Sequence, residues 1–168
     1  MSSTNRGAIR NERDLYITPD YTINSLLSVL DTDKLQRYSF CEPCRGTGAI
    51  YDRVEAATKI HAEISEGIDY LTTPFDVHFI ITNPPFSLAL EFLQKSLLEA
   101  QTVIYLLRLN FLGSQARRAF WQQNRPSHVL VLSKRPSFTG GGTDSTEYAW
   151  FCWDRYEMVN LERGVHVL

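Results

Sequence analysis

From Tyr16 onward the chain alternates between two hydrophobic rhythms, one near the helical period and one suited to strands. In PDYTINSLLSVLDT, apolar residues near helical spacing at Ile23, Leu26, Leu27 and Leu30 predict a helix. A short strand is expected over residues 38–41, then the glycine-bearing turn EPCRGTG, then a short helix over 49–57. KIHAEI alternates as a strand and runs into SEGIDYL. DVHFIIT reads as a buried strand, and SLALEFLQKSLLEA as a helix with Leu90, Leu93, Leu97 and Leu98 on one side. TVIYLLRL gives a further strand, and GSQARRAFWQQN a helix with Ser114 as its N-cap. HVLVLS and EYAWFCW form two late strands around the glycine-rich link FTGGGTDS. Strands alternating with helices and closing on an antiparallel hairpin make an α/β, doubly wound, mostly parallel sheet. No repeat or linker divides the chain, so one domain is expected over residues 16–168, behind a flexible polar arm at 1–15.

Composition narrows the setting. No apolar run approaches the roughly 20 residues that span a bilayer. The polar start MSSTNRGAIRNERD has no apolar stretch of a secretion signal, so a cytoplasmic location is expected. Three cysteines, an odd count, argue against a disulfide framework. Cys41 and Cys44 form a C-x-x-C, but no second paired spacing accompanies it and no metal site is read there. The net charge of −2 hides an uneven distribution. No acidic residue falls between Glu99 and Asp144, while Arg108, Arg117, Arg118, Arg125, Lys134 and Arg135 all do. A basic block in a mildly acidic chain predicts an anionic partner on one face.

Open α/β sheets bind ligands beyond the carboxyl ends of their strands, which directs attention to EPCRGTG. Gly46 and Gly48 allow backbone to approach a ligand closely. The turn is neither the dinucleotide fingerprint nor a P-loop. Glu42 ahead of the glycines would repel a pyrophosphate and suits a cation. Glu63, fifteen residues after Gly48, ends the second predicted strand, where an acid accepts hydrogen bonds from ribose hydroxyls. Asp69 follows at the next junction. Carboxylates at successive strand ends fit a positively charged nucleoside, and S-adenosylmethionine is one. The strand DVHFIIT then ends in Asn83-Pro84-Pro85-Phe86. Neither proline can sit inside a helix or central strand, so an amide and an aromatic ring flank a rigid corner.

In this combination the chain resembles the S-adenosylmethionine-dependent amino-methyltransferases, most closely the DNA adenine-N6 methyltransferases, with Dam-like phage enzymes among them. The signature is Asn/Asp/Ser-Pro-Pro-aromatic at the end of the family's fourth strand, matched by Asn83–Phe86, with EPCRGTG, AEI, DYL and Tyr16-Ile17-Thr18-Pro19 as further matches. RPSFTGGGTDSTEYAWFCW is similar to small phage members. The resemblance implies a seven-stranded Rossmann-like class I methyltransferase sheet. It also implies a cofactor, S-adenosylmethionine, and a setting in a bacterial or phage-infected cell.

The implied roles follow residue by residue. The Asn83 side chain and the Pro84 carbonyl would accept the amine's hydrogens, with Pro85 holding them rigidly. Phe86 would stack on a base rotated out of its helix. Tyr16, Thr18 and Pro19 would lie against the cofactor's methionine part. Glu42, Pro43, Cys44, Gly46 and Gly48 would contact its amino acid portion. Glu63 would hold the ribose, Ile64 would pack on the adenine, and Asp69, with Tyr70 beside it, would bind the adenine amino group.

Family members with a defined target usually carry a separate recognition region, for which this chain has no room. Recognition then falls on Arg108, Arg117, Arg118, Lys134, Arg135 and Phe138, on Arg6, Arg10 and Arg13 of the arm, or on a partner subunit or second copy. DNA with a short or relaxed target is the expected substrate, since phosphate contacts carry no sequence information. RNA adenine, protein glutamine, and a non-enzymatic subunit that binds cofactor or nucleic acid are the alternatives.

Overall fold

A computed structural model describes residues 16–168; the arm with Arg6, Arg10 and Arg13 lies outside the described residues. The strands are β1 Ser39–Glu42, β2 Thr58–His61, β3 Phe79–Thr82, β4 Thr102–Arg108, β5 His128–Val131, β6 Tyr148–Asp154 and β7 Gly164–Val167. They form one sheet in the order β2-β1-β3-β4-β6-β5-β7. The pairs β1–β2, β1–β3, β3–β4 and β5–β7 are parallel, whereas β6 runs antiparallel between β4 and β5. The predicted α/β sheet with a late hairpin is therefore what forms. Asn-Pro-Pro-Phe closes the third strand along this chain rather than the fourth.

Alternation along the central strands sends side chains into two cores. Phe40, Phe79, Ile81, Ile104 and Leu106 meet Ile23 and Leu26 of helix α1 (Asp20–Leu27) on one face. Cys41, Ile80, Val103, Tyr105 and Leu107 meet Phe92 and Leu93 of α3 (Ala89–Glu99) on the other. A short α2 (Thr32–Leu35) links α1 to β1, and Asp31 caps it by accepting from the Lys34 N–H at 3.1 Å. β3 and the first six residues of β4 are buried. Coverage of both faces explains their unbroken apolar runs.

The order of strands reverses between β1 and β3, because β2 lies to one side of β1 and the later strands to the other. The loops leaving the carboxyl ends of β1 and β3 are EPCRGTG and Asn83–Phe86. Adjacent parallel strands thus bring two distant motifs together at the switch point.

Several local expectations are corrected. Residues 49–57 form turns rather than a helix. Single-turn bonds such as Val54 N–H to the Ile50 carbonyl, at 3.1 Å, bury Ile50 and Val54 without propagating further. On α3 the buried stripe is Ala89, Phe92, Leu93 and Ser96, while Leu98 is 89% exposed. The sheet selects that i, i+3, i+4, i+7 stripe, and Leu98 falls outside it. α1 ends at Leu27, and Leu30 instead bridges Val159. The helix expected after Ser114 begins as a 3-10 turn over Gln115–Arg117 and becomes α4 at Arg118–Gln123; the Ser114 side chain makes no capping bond. β7 gave no separate signal in the sequence. Among the described residues no helix is long and apolar enough to cross a membrane.

Candidate active site

The carboxyl ends of β1, β2 and β3 open into a cleft of about 930 Å³. Tyr16, Thr18, Glu42, Pro43, Cys44, Gly46, Glu63, Ile64, Asp69, Tyr70, Asn83, Pro85 and Phe86 line it, as does Arg108. Ile17, matched in the sequence without a role, and Leu88, which the sequence did not single out, line it too, and both are exposed apolar side chains. Pro84 is buried behind the corner. Pro19 is the N-cap of α1, its carbonyl accepting from Thr22 N–H at 3.1 Å. Gly48 has φ +87°, and a Cβ there would lie 2.9 Å from the Asp52 carboxylate. Gly48 therefore shapes the loop, and any side chain would distort it.

Glu42 ends β1 and is 2% exposed. Its Oε2 is buried with no hydrogen-bond partner. Burial pushes the carboxyl well above the usual carboxylate range, against the pull of the Tyr51 backbone and Arg45; Asp52 and Glu63 push the same way as burial. An acid in this condition prefers to be neutral until a cation or donor arrives beside it.

Glu63, just beyond β2, is bound differently. Its carboxylate accepts from Gly46 N–H at 2.7 Å, Ser65 N–H at 3.1 Å and the Ser65 hydroxyl at 2.9 Å. Burial opposes its charge, but these donors from Ser65 and Gly46 outweigh it and hold the carboxyl below its usual range. Glu63 thereby ties the glycine loop to the end of β2 while staying ionised. Ile64, next to it, is 72% exposed on the cleft wall, an apolar surface suited to a flat ring. Asp69 accepts from Leu71 N–H at 2.9 Å through one oxygen. Tyr70 lines the floor, and its hydroxyl bonds Ser96 at 2.8 Å and Glu99 at 2.9 Å, so it also anchors the core.

Asn83 is fixed from two sides. Its Nδ2 donates to Thr18 Oγ1 at 3.1 Å, tying the Tyr16–Pro19 segment to the corner after β3. Its Oδ1 is buried without a partner. Cys44 Sγ lies 3.0 Å from Thr82 Oγ1 and donates to the Asn83 carbonyl at 3.3 Å, clasping the glycine loop to the same corner. Burial pushes the Cys44 thiol up, and the nearby Glu42 adds to this, so it acts as a neutral donor rather than a nucleophile.

The Phe86 ring stands among Tyr16, Phe138 and Tyr148 at centroid distances of 5.7, 6.4 and 6.0 Å. The Arg108 guanidinium lies 4.6 Å from its centroid. Arg108 also donates through Nε to Tyr148 Oη at 2.9 Å and through Nη2 to Asp144 at 3.3 Å. Asp144 and Tyr148 were not anticipated; the only hint was an acid closing the basic block.

Arg45 of the glycine turn also lines the cleft, whereas the other arginines and the lysine of the basic block do not. Lys134 sits over the Tyr21 ring at 4.5 Å, and Arg135 pairs with Glu147 at 2.6 Å. Arg117 lies over Phe111 and donates to its carbonyl at 2.8 Å. Exposed Arg118 and Arg125 border a shallow groove beside Trp121. Phe138 reaches the cleft through its contacts with Phe86 and Tyr16. Arg10 and Arg13 lie outside the described residues.

No family model and no curated protein matches the sequence. Solved structures do share its fold. A candidate RNA methyltransferase from Pyrococcus horikoshii aligns with a TM-score of 0.67 at 16% identity, over 91% of this chain and 92% of that one. A candidate class I S-adenosylmethionine-dependent methyltransferase from Listeria monocytogenes gives 0.65 at 12% identity, over 94% and 67%. The modification subunit of a candidate type I restriction enzyme from Vibrio vulnificus gives 0.63 at 15% identity, over 90% of this chain and 46% of that subunit. The sheet is thus the Rossmann-like one of class I methyltransferases.

Proposed function

We propose that this chain transfers a methyl group from S-adenosylmethionine to the N6 amine of adenine in DNA, within a short or relaxed target sequence. The observation that carries the reading is Asn83, whose side-chain oxygen is buried, unpartnered and held on a rigid Pro-Pro corner in the cleft wall. A buried acceptor left open is costly unless a ligand supplies the donor. Glu42 Oε2 is a second such acceptor in the same cleft, and its surroundings favour a cation.

These residues fit the cofactor. Glu42 would hold its ammonium, with Thr18, Cys44 and Gly46 nearby. Glu63 would take the ribose hydroxyls, Ile64 would pack on the adenine, and Asp69 would meet the amino group with its second oxygen. When bound, the cofactor supplies an electrophilic methyl on a sulfonium.

The chain's own contribution is orientation. An exocyclic adenine amine is a poor nucleophile because its lone pair is delocalised into the ring. Asn83 Oδ1 and the Pro84 carbonyl accept its two N–H groups, favour a pyramidal nitrogen and direct the lone pair at the methyl. As the methyl would leave the sulfonium for the nitrogen, the sulfur would become a neutral thioether and the amine would give up one proton to solvent. Asn83 is an amide, so it positions the proton rather than abstracts it. Phe86 supplies the stacking surface for the extruded base.

RNA adenine is the second reading, favoured by the likeness to a candidate RNA methyltransferase. Labelled-methyl transfer should be measured over duplex DNA, single-stranded DNA, RNA and protein, followed by nucleoside analysis. N6-methyladenine in DNA is expected. Label confined to RNA would move the assignment there, and label on protein glutamine, or none anywhere, would sink it.

A further inference from the structure

The link between β5 and β6 closes on itself and on the end of β4. Asp144 N–H donates to the Pro136 carbonyl at 2.9 Å, and the Ser137 hydroxyl to the Gly142 carbonyl at 2.6 Å. Gly140 and Gly142 have φ of +72° and +149°, backbone values that side chains rarely adopt. The link is therefore a folded strap rather than a loose tether. Besides the backbone bond from Leu109 N–H to the Glu147 carbonyl at 3.0 Å, its attachment to the sheet includes a three-membered side-chain cluster at the cleft edge. Arg108, the last residue of β4, donates to Tyr148 Oη and pairs with Asp144, while Tyr148 Oη donates to the same Asp144 oxygen at 2.7 Å.

This cluster has two outputs. Arg108 lies over the Phe86 ring at 4.6 Å. The strap carries Phe138, whose ring lies 5.1 Å from Tyr148, 5.8 Å from Tyr16 and 6.4 Å from Phe86. One charged group thus touches the stacking ring and holds the segment that brings a second ring to it. The guanidinium is also committed to Asp144 and Tyr148, which leaves it poorly suited to phosphate contact.

We propose that Arg108, Asp144 and Tyr148 form a latch that seats the strap over residues 136–147. By holding Phe138 against Phe86, the latch sets the width of the pocket that receives the acceptor base. Arg108 is then a positioning residue for Phe86 rather than a phosphate contact, an inference that rests on the adenine-methylation reading. Arg is required rather than any cation, since one planar fork must serve a hydroxyl, a carboxylate and a ring face together.

Arg108→Lys and Tyr148→Phe test it, the latter keeping the buried ring while removing its hydroxyl. Amide hydrogen exchange, which needs no activity, should show faster exchange over residues 136–147 in both variants, with the core strands unchanged. Methyl transfer should lose ten-fold or more in kcat/KM for the nucleic acid, while calorimetric cofactor affinity stays within two-fold. Unchanged exchange over the strap would overturn the latch. A loosened strap with normal acceptor kinetics would overturn its role in the pocket. A wild-type protein that methylates no nucleic acid would instead defeat the functional reading, and the exchange data would still decide whether the latch exists.

Discussion

At the scale of single residues, the cleft is defined by two acceptors that its own hydrogen bonding leaves open. For Glu42 the pH consequence follows from burial. Its folded carboxyl titrates well above the unfolded value of about 4.3. The stability linked to its proton is complete below that unfolded value and is lost as pH rises through the folded one. Glu42→Gln should therefore raise the melting temperature at pH 7–8, by roughly 2–4 °C for each kcal/mol gained, with little change near pH 4. The same variant should lose cofactor affinity, and a pH series of melting curves with and without cofactor reads both effects. Cofactor binding should also release protons from Glu42, seen as a dependence of the calorimetric heat on buffer ionisation enthalpy; identical heats across buffers would contradict the ammonium assignment. Asn83→Ala should keep the fold while slowing methyl transfer by about 10²–10³, the range for one preorganised polar group. Near-normal turnover would remove Asn83 from the chemistry.

At the scale of elements, α3 tests how far a hydrophobic pattern can be trusted. Four leucines suggested one apolar side, yet Leu93 is fully buried and Leu98 is 89% exposed. Leu93→Ala should cost about 2–5 kcal/mol in denaturant melts, the usual range for a core leucine. Leu98→Glu should change stability by no more than about 0.5 kcal/mol. Comparable losses in both would mean that α3 packs with a different face. The turns over residues 49–57 carry a related lesson. Ile50 and Val54 sit four apart, as on a helix, and both are buried, but Gly48 just before them takes a left-handed turn beside Asp52. Spacing of two residues fixes which side chains go inward; it does not fix how many turns propagate.

At the scale of the whole molecule, the basic block separates into committed and uncommitted charges. Arg108 and Arg135 pair with Asp144 and Glu147, while Arg118 and Arg125 are exposed and pair with no acid among the described residues. Replacing Arg118 and Arg125 together by alanine should weaken nucleic-acid binding similarly across sequences and reduce its salt slope by about two. Binding titrations from low to high salt read this directly, and an unchanged slope would exclude that face. The sequence by itself determined the α/β class and the late hairpin, and its glycine turn and Pro-Pro corner marked where the cleft lies; of the twelve residues that only the family resemblance assigned to the cofactor, ten line it. The sequence could do so because strand alternation and the φ constraints of glycine and proline are local, and parallel strands deliver their carboxyl-end loops to one edge. Only the tertiary structure decided which carboxyl is pushed up and which is held down, since burial dominates at Glu42 while folding brings Glu63 the donors of Ser65 and Gly46. It alone also joined Arg108 to Asp144 and Tyr148, residues 36 and 40 positions apart in the chain. That contact follows from β4 lying beside β6, a pairing across the sheet that no short-range spacing encodes.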